Sequence, residues 1–433
     1  MKITLISHAC IVIHTEDIKI LTDPWLFGTA FNDSWSLKPQ ASKESLDYEN
    51  IDYLWISHEH PDHFHIPTLK TLPESFKNKV TVLYQKNNSN KMIKALKGFG
   101  FNSFEILPHR EIVKLSDQTK VYCYQVGGMD SALGVMADEE VIFNINDSEL
   151  NQRDCNIVKG DIGSPDVVLN QFSIAGYSGQ ADRGNHLPLM AKNTLINCSN
   201  NHIDLGASVT IPFASLVYFC KDDNAYMNNY HNSPLDFCEH MMSKSLDYTL
   251  LYPGDTYTLG MAFNNVASKK KYEALESNFD NTFETSALKS IEAIREAFNE
   301  RFKQIKYDFS SLFRFILKPV TVEINDISKK VEFSFKDGTF SELNTTDECD
   351  LVINSQPLWF AFKFPFGIQT LGVSARYTLN KNEKNWKYYR VLCSLNNAEI
   401  YLSWKFFNKS NLQWLAARFS GIMNQLIYQL KRM

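Results

Sequence analysis

Short apolar runs alternate with polar loops along residues 1–270 of the chain. The runs are rich in Val, Ile, Leu and aromatic residues, which favour strands, and they are KITLIS, CIVIH, IKILTDP, VTVLYQ, VYCYQV, VIFNI, DVVLNQF and SVTIPF. A few helical stretches such as NNSNKMIKALKGFG lie between them. This order predicts an α/β fold, an αββα sandwich in which two mixed sheets are faced by helices and the polar loops gather along one edge.

A helical pattern follows these strands, and we assign residues 271–315 to a helical connector. Apolar residues recur there at steps of three and four, which places them on one face of an amphipathic helix. The residues on this face are Leu288, Ile291, Ile294, Phe298, Phe302 and Ile305. Such a face is expected to pack on a core, and binding of a partner is the alternative.

Residues 316–433 change character and predict a small α+β domain. PVTVEIND and KKVEFSF alternate apolar and polar positions as strands do, Asp337 and Gly338 supply a turn, and EIYLSW follows as a further strand. Ser410 would cap a closing amphipathic helix with Leu412, Leu415, Phe419, Ile422, Leu426 and Leu430 on one face. LVINSQPLWFAFKFPFGIQTLGVSARY resembles a sterol-carrier-type domain, which leaves apolar-ligand binding and plain packing as two open roles.

Charge and cysteine content narrow the class of protein. The 44 basic and 49 acidic side chains give a net charge of −5, which favours neither a nucleic-acid nor a membrane-surface partner. The sequence contains no apolar run of eighteen residues, and its alternating N-terminus predicts a strand instead of a signal peptide. Eight scattered cysteines without a CxxC pair indicate reduced, mostly buried thiols and a cytoplasmic protein.

The candidate chemistry is concentrated in WISHEHPDHFH, which holds four of the eleven histidines. Pro61 ends the preceding β-prone run, so the histidines lie on a loop that leaves a strand. His58 and His60 can face one divalent ion, while Asp62 and His63 can turn toward a second. A solvated polar loop is the alternative, but clustered imidazoles repel one another as they protonate. The pattern therefore predicts a site for two transition-metal ions.

This histidine loop resembles the signature of the metallo-β-lactamase superfamily, and two further segments match that family. Asp23 in LTDPW resembles the first motif of the family, an aspartate that supports the histidine loop from behind. Asp147 in VIFNINDSE stands where the family usually has Gly-Asp-Thr. The resemblance implies that Asp147 bridges the two ions and offsets their mutual repulsion. An Asx turn after a strand is the alternative.

A narrower resemblance covers about the first 265 residues. Five segments run in the same order as in the metal-binding part of the CMP-N-acetylneuraminate hydroxylase family and its bacterial relatives: TDPWLFGTAFNDSWSLKP, YLWISHEHPDHFHIPTLKTL, GMDSALGVMADEEVIFNINDS, IPFASLVYF and YPGDTYTLG. That family is regarded as iron-dependent monooxygenases. The resemblance implies oxygen chemistry beside hydrolysis, with two divalent transition-metal ions, iron being favoured over zinc or manganese.

Asp130 favours iron on chemical grounds. Hydrolases of the superfamily carry a third histidine roughly seventeen residues before the bridging aspartate, and this sequence has Asp130 there, in GGMDSAL. A carboxylate is a harder donor than imidazole and adds negative charge, which favours iron or manganese over zinc. A turn aspartate after Gly127 and Gly128 is the alternative.

Two departures from the hydroxylase family affect how an oxygenase would work. The paired Cys-x-His motifs of a Rieske iron–sulfur domain do not occur in this sequence, so electrons would come from a separate donor protein. Lys221 stands where related sequences tend to have a histidine. The second ion would then need another ligand, for which His186 and His231 remain as candidates.

Three classes of function stay open. A diiron oxygenase would hydroxylate a polar metabolite such as a sugar or nucleotide-sugar, and a dinuclear hydrolase would cleave a phosphoester, lactone or amide. A non-catalytic binding protein is the third class. We favour the oxygenase, with Asp62 and His65 as catalytic residues, because five segments match that branch. The residues expected to line a substrate pocket, or else to pack, are Trp25, Phe27, Phe31, Tyr177, Ser178, Gly179, Lys221 and Asp255.

Overall fold

The structure, a computed structural model, describes residues 1–86, 90–127, 130–280 and 282–397. The strands of these residues are β1 (Lys2–Leu5), β2 (Ile11–His14), β3 (Lys19–Thr22), β4 (Thr29–Ala30), β5 (Trp35–Leu37), β6 (Tyr53–Ile56), β7 (Thr81–Gln85), β8 (Ser103–Leu107), β9 (Ile112–Lys114), β10 (Lys120–Val126), β11 (Asp130–Ala137), β12 (Glu140–Asn146), β13 (Val167–Gln171), β14 (Val209–Phe213), β15 (Val217–Phe219), β16 (Thr256–Thr258), β17 (Val320–Ile324), β18 (Lys329–Ser334), β19 (Thr339–Leu343), β20 (Leu351–Ile353) and β21 (Tyr377–Leu379).

The α-helices of the same residues are α1 (Ile66–Thr71), α2 (Glu74–Lys79), α3 (Lys91–Gly98), α4 (Gln152–Ile162), α5 (Arg183–Leu205), α6 (Pro234–Ser243), α7 (Asn265–Asn278), α8 (Ile291–Asp308), α9 (Ser311–Arg314), α10 (Ser355–Lys363), α11 (Gly367–Ser374) and α12 (Glu383–Asn397). Among them, no helix combines the length and the apolar composition that a membrane span requires. The helical pattern predicted around NNSNKMIKALKGFG forms α3.

Two sheets packed face to face form the N-terminal part of the molecule. The larger has the strand order β16-β1-β2-β3-β6-β7-β8, and the smaller has the order β14-β13-β12-β11-β10-β9. Both sheets are mixed, since each contains antiparallel and parallel neighbours. Alternate side chains of each strand point into the space between the sheets. The buried residues there include Ile3, Leu5, Ile13, Leu83, Val121, Leu133, Ile142, Leu169 and Ile211.

Helices cover the outer face of each sheet. Helices α1, α2 and α3 place Leu69, Phe76 and Leu96 against the outward side chains of the larger sheet. Helices α4 and α5 do the same for the smaller sheet with residues such as Val158 and Leu205. The layers are therefore helix, sheet, sheet and helix, which confirms the predicted αββα sandwich. All eight apolar runs predicted as strands in residues 1–270 form strands.

Polar loops from both sheets meet at one edge of the sandwich. Because β1 and β3 are each antiparallel to β2, and β6 is parallel to β3, the carboxyl ends of β1, β3 and β6 lie at the same edge. His8 follows β1, Asp23 follows β3, and the histidine loop follows β6. From the smaller sheet, β12 ends at Asn146 and brings Asp147 Oδ2 to 3.4 Å from His58 Nε2.

The C-terminal part is built on a five-stranded sheet with the order β19-β18-β17-β20-β21. The two alternating segments predicted as strands form β17 and β18, and Gly338, with φ +78°, lies in the turn to β19. Inward side chains of this sheet share a core with helices α8, α10 and α12. The predicted strand EIYLSW and the closing helix after Ser410 lie outside the described residues.

Helix α8 begins later than its apolar pattern indicates. Ser290 Oγ accepts a hydrogen bond from Ala293 N and caps the helix, so that Ile291 is its first residue. Leu288 therefore precedes the helix and is 62% exposed, although the pattern placed it on the buried face. Farther along, Ile294 and Phe298 are fully buried in the core of the C-terminal sheet.

A buried arginine ties the C-terminal part to the sandwich. The side chain of Arg376 is fully buried, and its Nε lies 2.7 Å from Asp223 Oδ1. Its Nη2 donates to Ser286 Oγ at 2.8 Å, and its Nη1 donates to Gln356 Oε1 at 3.1 Å and to Asn32 O at 3.3 Å. Four chain segments thus meet on one guanidinium group.

All eight cysteines are free and buried, as expected for reduced thiols. One Cys-x-His triplet does occur, at Cys238 and His240, within helix α6. Cys238 belongs to the core between the sheets. His240 Nε2 lies 3.0 Å from Ser199 Oγ, so the two side chains point to different surroundings.

Candidate metal centre

A buried carboxylate forms the floor of the polar edge. Asp23 is fully buried, and Ser57 N donates to its Oδ1 at 2.8 Å. Three groups donate to its Oδ2: Ser57 Oγ at 2.6 Å, His63 Nδ1 at 2.9 Å and Asn146 Nδ2 at 2.6 Å. A carboxylate oxygen accepts hydrogen bonds, so His63 donates to Asp23 from Nδ1 and is left with Nε2 as the nitrogen that could bind a metal ion.

The same carboxylate orients His58 through a hydroxyl group. Ser57 Oγ directs its hydrogen at Asp23 and lies 3.0 Å from His58 Nδ1. The Ser57 oxygen can therefore only accept from His58, which leaves the lone pair of His58 on Nε2. Both Nε2 atoms face the interior of the cluster, as metal ligands would.

Seven side chains make up three groups of potential ligands, each with atoms within 4.8 Å of one another. The groups are His58, His60 and Asp130; then His8, Asp62 and His63; and finally His58, His63 and Asp147. The third group shares one residue with each of the others. Asp147 therefore lies between two sets of three ligands, where a bridging group would be expected.

Asp147 contacts the two histidines about equally. Its Oδ2 lies 3.4 Å from His58 Nε2 and 3.4 Å from His63 Nε2. Burial opposes ionisation of this carboxyl group, but His58 and His63 outweigh it and hold the pKa of Asp147 below its usual range. The Asp147 carboxylate is thus an anion that lies between the imidazole rings of His58 and His63.

Asp130 lies at the more open side of the cluster. It is the first residue of β11, and its Oδ1 lies 4.0 Å from His58 Nε2. Burial and the nearby carboxylate of Asp147 raise the pKa of Asp130 to about 7. Asp130 therefore lacks sufficient positive charge around it, a deficit that a bound cation would remove.

His8 belongs to the cluster although sequence analysis did not single it out. Its ring is buried, and its Nε2 lies 3.2 Å from Asp62 Oδ2. One signal could have found it: His8 directly follows the apolar run KITLIS, as Asp23 and the histidine loop follow their strands. A lone histidine among apolar residues carries little weight until the strand order is known.

Several atoms of the cluster are buried without a hydrogen-bond partner among the described residues. They are His8 Nδ1, Asp62 Oδ1, His63 Nε2 and Asp147 Oδ1. Leaving such atoms unpaired is costly, so native structures seldom do it without a reason. Imidazole and carboxylate are the donor types that transition metals prefer, and the residues present therefore fit a metal centre.

Comparison with known proteins identifies the sandwich. Residues 2–145 match the family model described as "Beta-lactamase superfamily domain", and the segment includes β1 to β11 and nearly all of β12. The N-terminal domain has the metallo-β-lactamase fold. Curated sequences similar to this chain include cytidine monophosphate-N-acetylneuraminic acid hydroxylases.

Two of these relatives show the extent of the similarity. The hydroxylase of Danio rerio is 26% identical over 287 residues, which are 61% of this chain and 47% of that protein. The hydroxylase of Asterias rubens is 41% identical over 75 residues, 17% of this chain and 12% of that protein. The chain spans about half the length of the first relative.

Solved structures of two kinds resemble the metallo-β-lactamase domain. CmlA, a diiron beta-hydroxylase from Streptomyces venezuelae, has a TM-score of 0.44 and 16% identity, and the match covers 60% of this chain and 54% of that one. The isothiocyanate hydrolase from Delia radicum gut bacteria has a TM-score of 0.45 and 16% identity, over 60% of this chain and all of that one.

Within the metallo-β-lactamase domain, His65 lies apart from the ligand groups. Its Nδ1 is 2.8 Å from Thr68 Oγ1 and accepts from Thr68 N, which caps helix α1. Its Nε2 is 3.2 Å from Thr29 O. Burial lowers the pKa of His65 to about 4. Both ring nitrogens are thus within hydrogen-bonding distance of groups outside the three ligand groups, and the catalytic role expected for His65 stays a prediction.

The segment IAGYSG lines the junction with the C-terminal part, not an open pocket. Tyr177 N donates to Gly372 O at 2.7 Å, and Tyr377 Oη donates to Ser178 O at 2.6 Å. Gly179, with φ +83°, allows this approach, because a Cβ there would lie 2.4 Å from the Tyr377 ring. Tyr177 and Ser178 are in contact with the C-terminal part here, and the pocket role expected for them stays a prediction.

Two other pocket candidates are paired away from the ligand groups. Lys221 is buried, and its Nζ lies 2.7 Å from Glu284 Oε2. Asp255 accepts from Ser268 Oγ at 2.8 Å and pairs with Lys271 Nζ at 2.6 Å. Lys221 and Asp255 thus make the kind of ion pairs and hydrogen bonds that stabilise loops.

The aromatic candidates pack around the histidine loop. Trp25 is fully buried, and its ring centroid lies 5.6 Å from that of His8 and 5.6 Å from that of His65. Phe31 is also buried and lies 6.0 Å from the ring of His60. Phe27 lies 6.0 Å from His65. These rings form an apolar wall that fixes the histidines.

The two histidines considered as substitutes at the second site lie outside the groups. His186 is exposed on helix α5. Burial lowers the pKa of His231 to about 3, and its buried Nε2 has no hydrogen-bond partner in the described part of the chain. The third residue that joins Asp62 and His63 is His8 instead.

Proposed function

We propose that the protein is a dinuclear metal-dependent oxidoreductase, an oxygenase that hydroxylates a polar small molecule such as a sugar or nucleotide-sugar. The observation that carries this proposal is the grouping of Asp130 with His58 and His60. A carboxylate in that position makes the donor set harder and more negative than three imidazoles, which favours iron. The substrate class follows the relatives, whose names specify a nucleotide-sugar hydroxylase.

The residues would divide between two ions. His58, His60 and Asp130 would hold one, and His8, Asp62 and His63 the other. Asp147 would bind both, since its Oδ2 is equidistant from the two histidines that face it. In this assignment Asp62 is a metal ligand, and His8 takes the place left by Lys221.

Bound iron would supply the activation of dioxygen. The chain itself supplies the orientation: Asp23 and Ser57 keep the hydrogens of His63 and His58 on Nδ1, so that both Nε2 lone pairs point inward. Trp25 and Phe31 exclude water from one side of the cluster. Hydroxylation with dioxygen releases one oxygen atom as water, which takes two electrons and two protons, so a separate electron-donor protein is part of the proposal.

A dinuclear hydrolase is the second candidate. The group of His8, His63 and Asp62 offers two imidazoles and one carboxylate, the donor set of several catalytic zinc sites. Zinc in such a set lowers the pKa of bound water toward about 7 without electrons or oxygen. Phosphoesters, lactones and amides are the substrate classes for this alternative.

Oxygen dependence separates the two candidates. We expect protein purified without added metal to contain iron, and the chemically reduced protein to consume dioxygen in a single turnover while its iron absorption changes. Zinc-loaded protein that cleaves a phosphodiester or lactone at full rate without oxygen would overturn the oxygenase in favour of the hydrolase.

Replacement of Asp130 tests the observation behind the proposal. Asp130→His should shift the preference from iron toward zinc, because imidazole is the softer donor, and Asp130→Ala should lower the metal content. The control is Asp138→Ala, in the turn after the same strand. Unchanged metal content and selectivity in both Asp130 variants would return Asp130 to the role of a turn residue.

A further inference from the structure

Asn146 occupies a backbone position that few residues tolerate. It is the last residue of β12 and has φ +63°, in the left-handed region. The pairing of β12 with β13 shifts register between Asn144 and Asn146. Such an irregularity bends a strand and redirects the residue that follows. Asp147 leaves the sheet at this bend, and Asn is one of the few side chains besides Gly that enter this region readily.

The side chain of Asn146 reaches across to the other sheet. Its Nδ2 donates to Asp23 Oδ2 at 2.6 Å, and Asp23 follows β3 of the larger sheet. The residue is fully buried, and its Oδ1 has no hydrogen-bond partner among the described residues. The amide cannot be reversed, because that would place its oxygen against a carboxylate oxygen.

These contacts close a ring around one half of the cluster. Asn146 holds Asp23, and Asp23 Oδ2 accepts from His63 Nδ1 at 2.9 Å. On the far side of the imidazole, His63 Nε2 lies 3.4 Å from Asp147 Oδ2, and Asp147 is joined to Asn146 by a peptide bond. One side chain therefore constrains the separation between His63 and Asp147 from both ends.

We propose that Asn146 is a positioning residue that sets this separation and thereby the affinity for the ion that His63 and Asp147 would share. The inference rests on the proposed metal centre, but not on whether the chemistry is oxygenation or hydrolysis. Loss of a residue that orients a ligand typically weakens metal binding by about 10- to 100-fold. The ion at His58, His60 and Asp130 should be affected less, because Asp23 contacts His63 directly and reaches His58 only through the Ser57 hydroxyl group.

Asn146→Gly tests the proposal, because glycine keeps the left-handed backbone and removes only the amide. Metal-free protein would be titrated with cobalt(II) against a chromophoric chelator, and the two binding steps would be fitted separately. We expect one step to weaken by about 10- to 100-fold and the other by no more than about threefold. The cobalt absorption of the weakened site should also change, which a purely structural role would not produce.

Asn144→Ala is the matched control. Asn144 is a buried amide two residues earlier on β12, and neither of its polar side-chain atoms has a hydrogen-bond partner in the described residues. Its loss should leave both binding steps unchanged. Asn146→Asp provides a second test if the glycine variant does not fold, since Asp also tolerates the left-handed region but presents no donor to Asp23. In Asn146→Asp, the same binding step should weaken by at least as much as in Asn146→Gly.

Two results would overturn the proposal. Both steps could keep wild-type affinity in a folded Asn146 variant, or both could weaken equally together with a lower melting temperature of the metal-free protein. Wild-type protein that takes up no ion would instead overturn the metal centre and this inference with it, so the two failures are distinguishable.

Discussion

The cluster at the edge of the sandwich and the cluster around Arg376 both remove charges from water, yet they pair them differently. Around Arg376, each nitrogen of the guanidinium group has an acceptor, and Asp223 also accepts from Asn354 at 3.2 Å. Around Asp147, atoms of four candidate ligands are buried with no hydrogen-bond partner among the described residues. Charges of opposite sign lie close together in both places.

The difference supports the proposal that the cluster at Asp147 binds metal and that the cluster at Arg376 is structural. Burial of a charge costs several kcal/mol unless hydrogen bonds and a counter-charge replace the lost water. The Arg376 cluster meets this condition with protein groups alone, so it needs no ligand. The cluster at Asp147 does not, and its unpaired atoms are imidazole nitrogens and carboxylate oxygens. Unpaired atoms of a lone side chain, such as those of Asn144, indicate no site, whereas several unpaired imidazole and carboxylate atoms grouped together support the proposed metal centre.

Removing two imidazoles should have the largest effect. In the His58→Ala plus His63→Ala variant, each of the three ligand groups loses at least one member, so we expect metal content to fall from two ions per chain to nearly none. Elemental analysis of protein purified without added metal measures this. The exposed His186→Ala is the control and should retain both ions. Full retention of both ions in the double variant would contradict the assignment of the cluster at Asp147 as the metal site.

Arg376→Ala should affect stability instead of metal binding. The substitution leaves Asp223, whose side chain is 15% exposed, without its cation. Loss of one partner of a fully buried pair costs about 3–5 kcal/mol, so we expect a loss up to that size in denaturant unfolding. Exposed Arg295, which lies 3.2 Å from Glu342, is the matched control, and its replacement should cost no more than about 1 kcal/mol. A double-mutant cycle with Asp223→Ala should recover part of the loss. An Arg376 variant with the same free energy of unfolding as the wild type would contradict a structural role for the cluster around Arg376.

Gly179→Ala should weaken the same joint by a smaller amount. The new Cβ would meet the ring of Tyr377 at a backbone with φ +83°, and such overpacking costs about 1–3 kcal/mol. Gly184→Ala is the control, because a Cβ there meets nothing within 4 Å. We expect a lower melting temperature in thermal unfolding and an unchanged metal content. If Gly179→Ala lowers the metal content and leaves the melting temperature unchanged, the contact between Gly179 and Tyr377 is coupled to the metal centre.

The surface pair of Arg110 and Asp161 should give the smallest effect. Hydrogen bonds from Arg110 and Tyr122 hold the pKa of Asp161 below its usual range. The stabilisation is therefore present above the pKa of an unfolded aspartate and is lost as the pH falls through the lower folded value. Because the pair is exposed, we expect Asp161→Asn to cost less than about 1 kcal/mol at pH 7 and nothing near pH 2. If wild type and Asp161→Asn differ in free energy of unfolding by the same amount at pH 7 and pH 2, the ionised Asp161 is not the source of the difference.

Sequence patterns predicted what is local and missed what depends on distant contacts. The period of two in runs such as KITLIS fixes the inward face of a strand, and His58, His60, Asp62 and His63 are close together because they share one loop. His8 is separated from them by some fifty residues and joins them only through the strand order. The contacts of Tyr177 and Ser178 with Gly372 and Tyr377 could not be predicted, because these partners lie some two hundred residues away, beyond any local pattern.

Strand β1 has a consequence for the order of events during synthesis. Its Lys2 pairs with Thr258 of β16, so this edge of the larger sheet stays open until some 250 further residues have been made. At translation rates of about 5–20 residues per second, that interval is about 13–50 s. Such long-range pairing is slow because a large loop must close first. Strands β1, β2, β3 and β6 can bring His8 beside the histidine loop before β16 exists. Asp130 and Asp147 follow later in the chain, so a full set of ligands would be available only after β11 and β12 have been made.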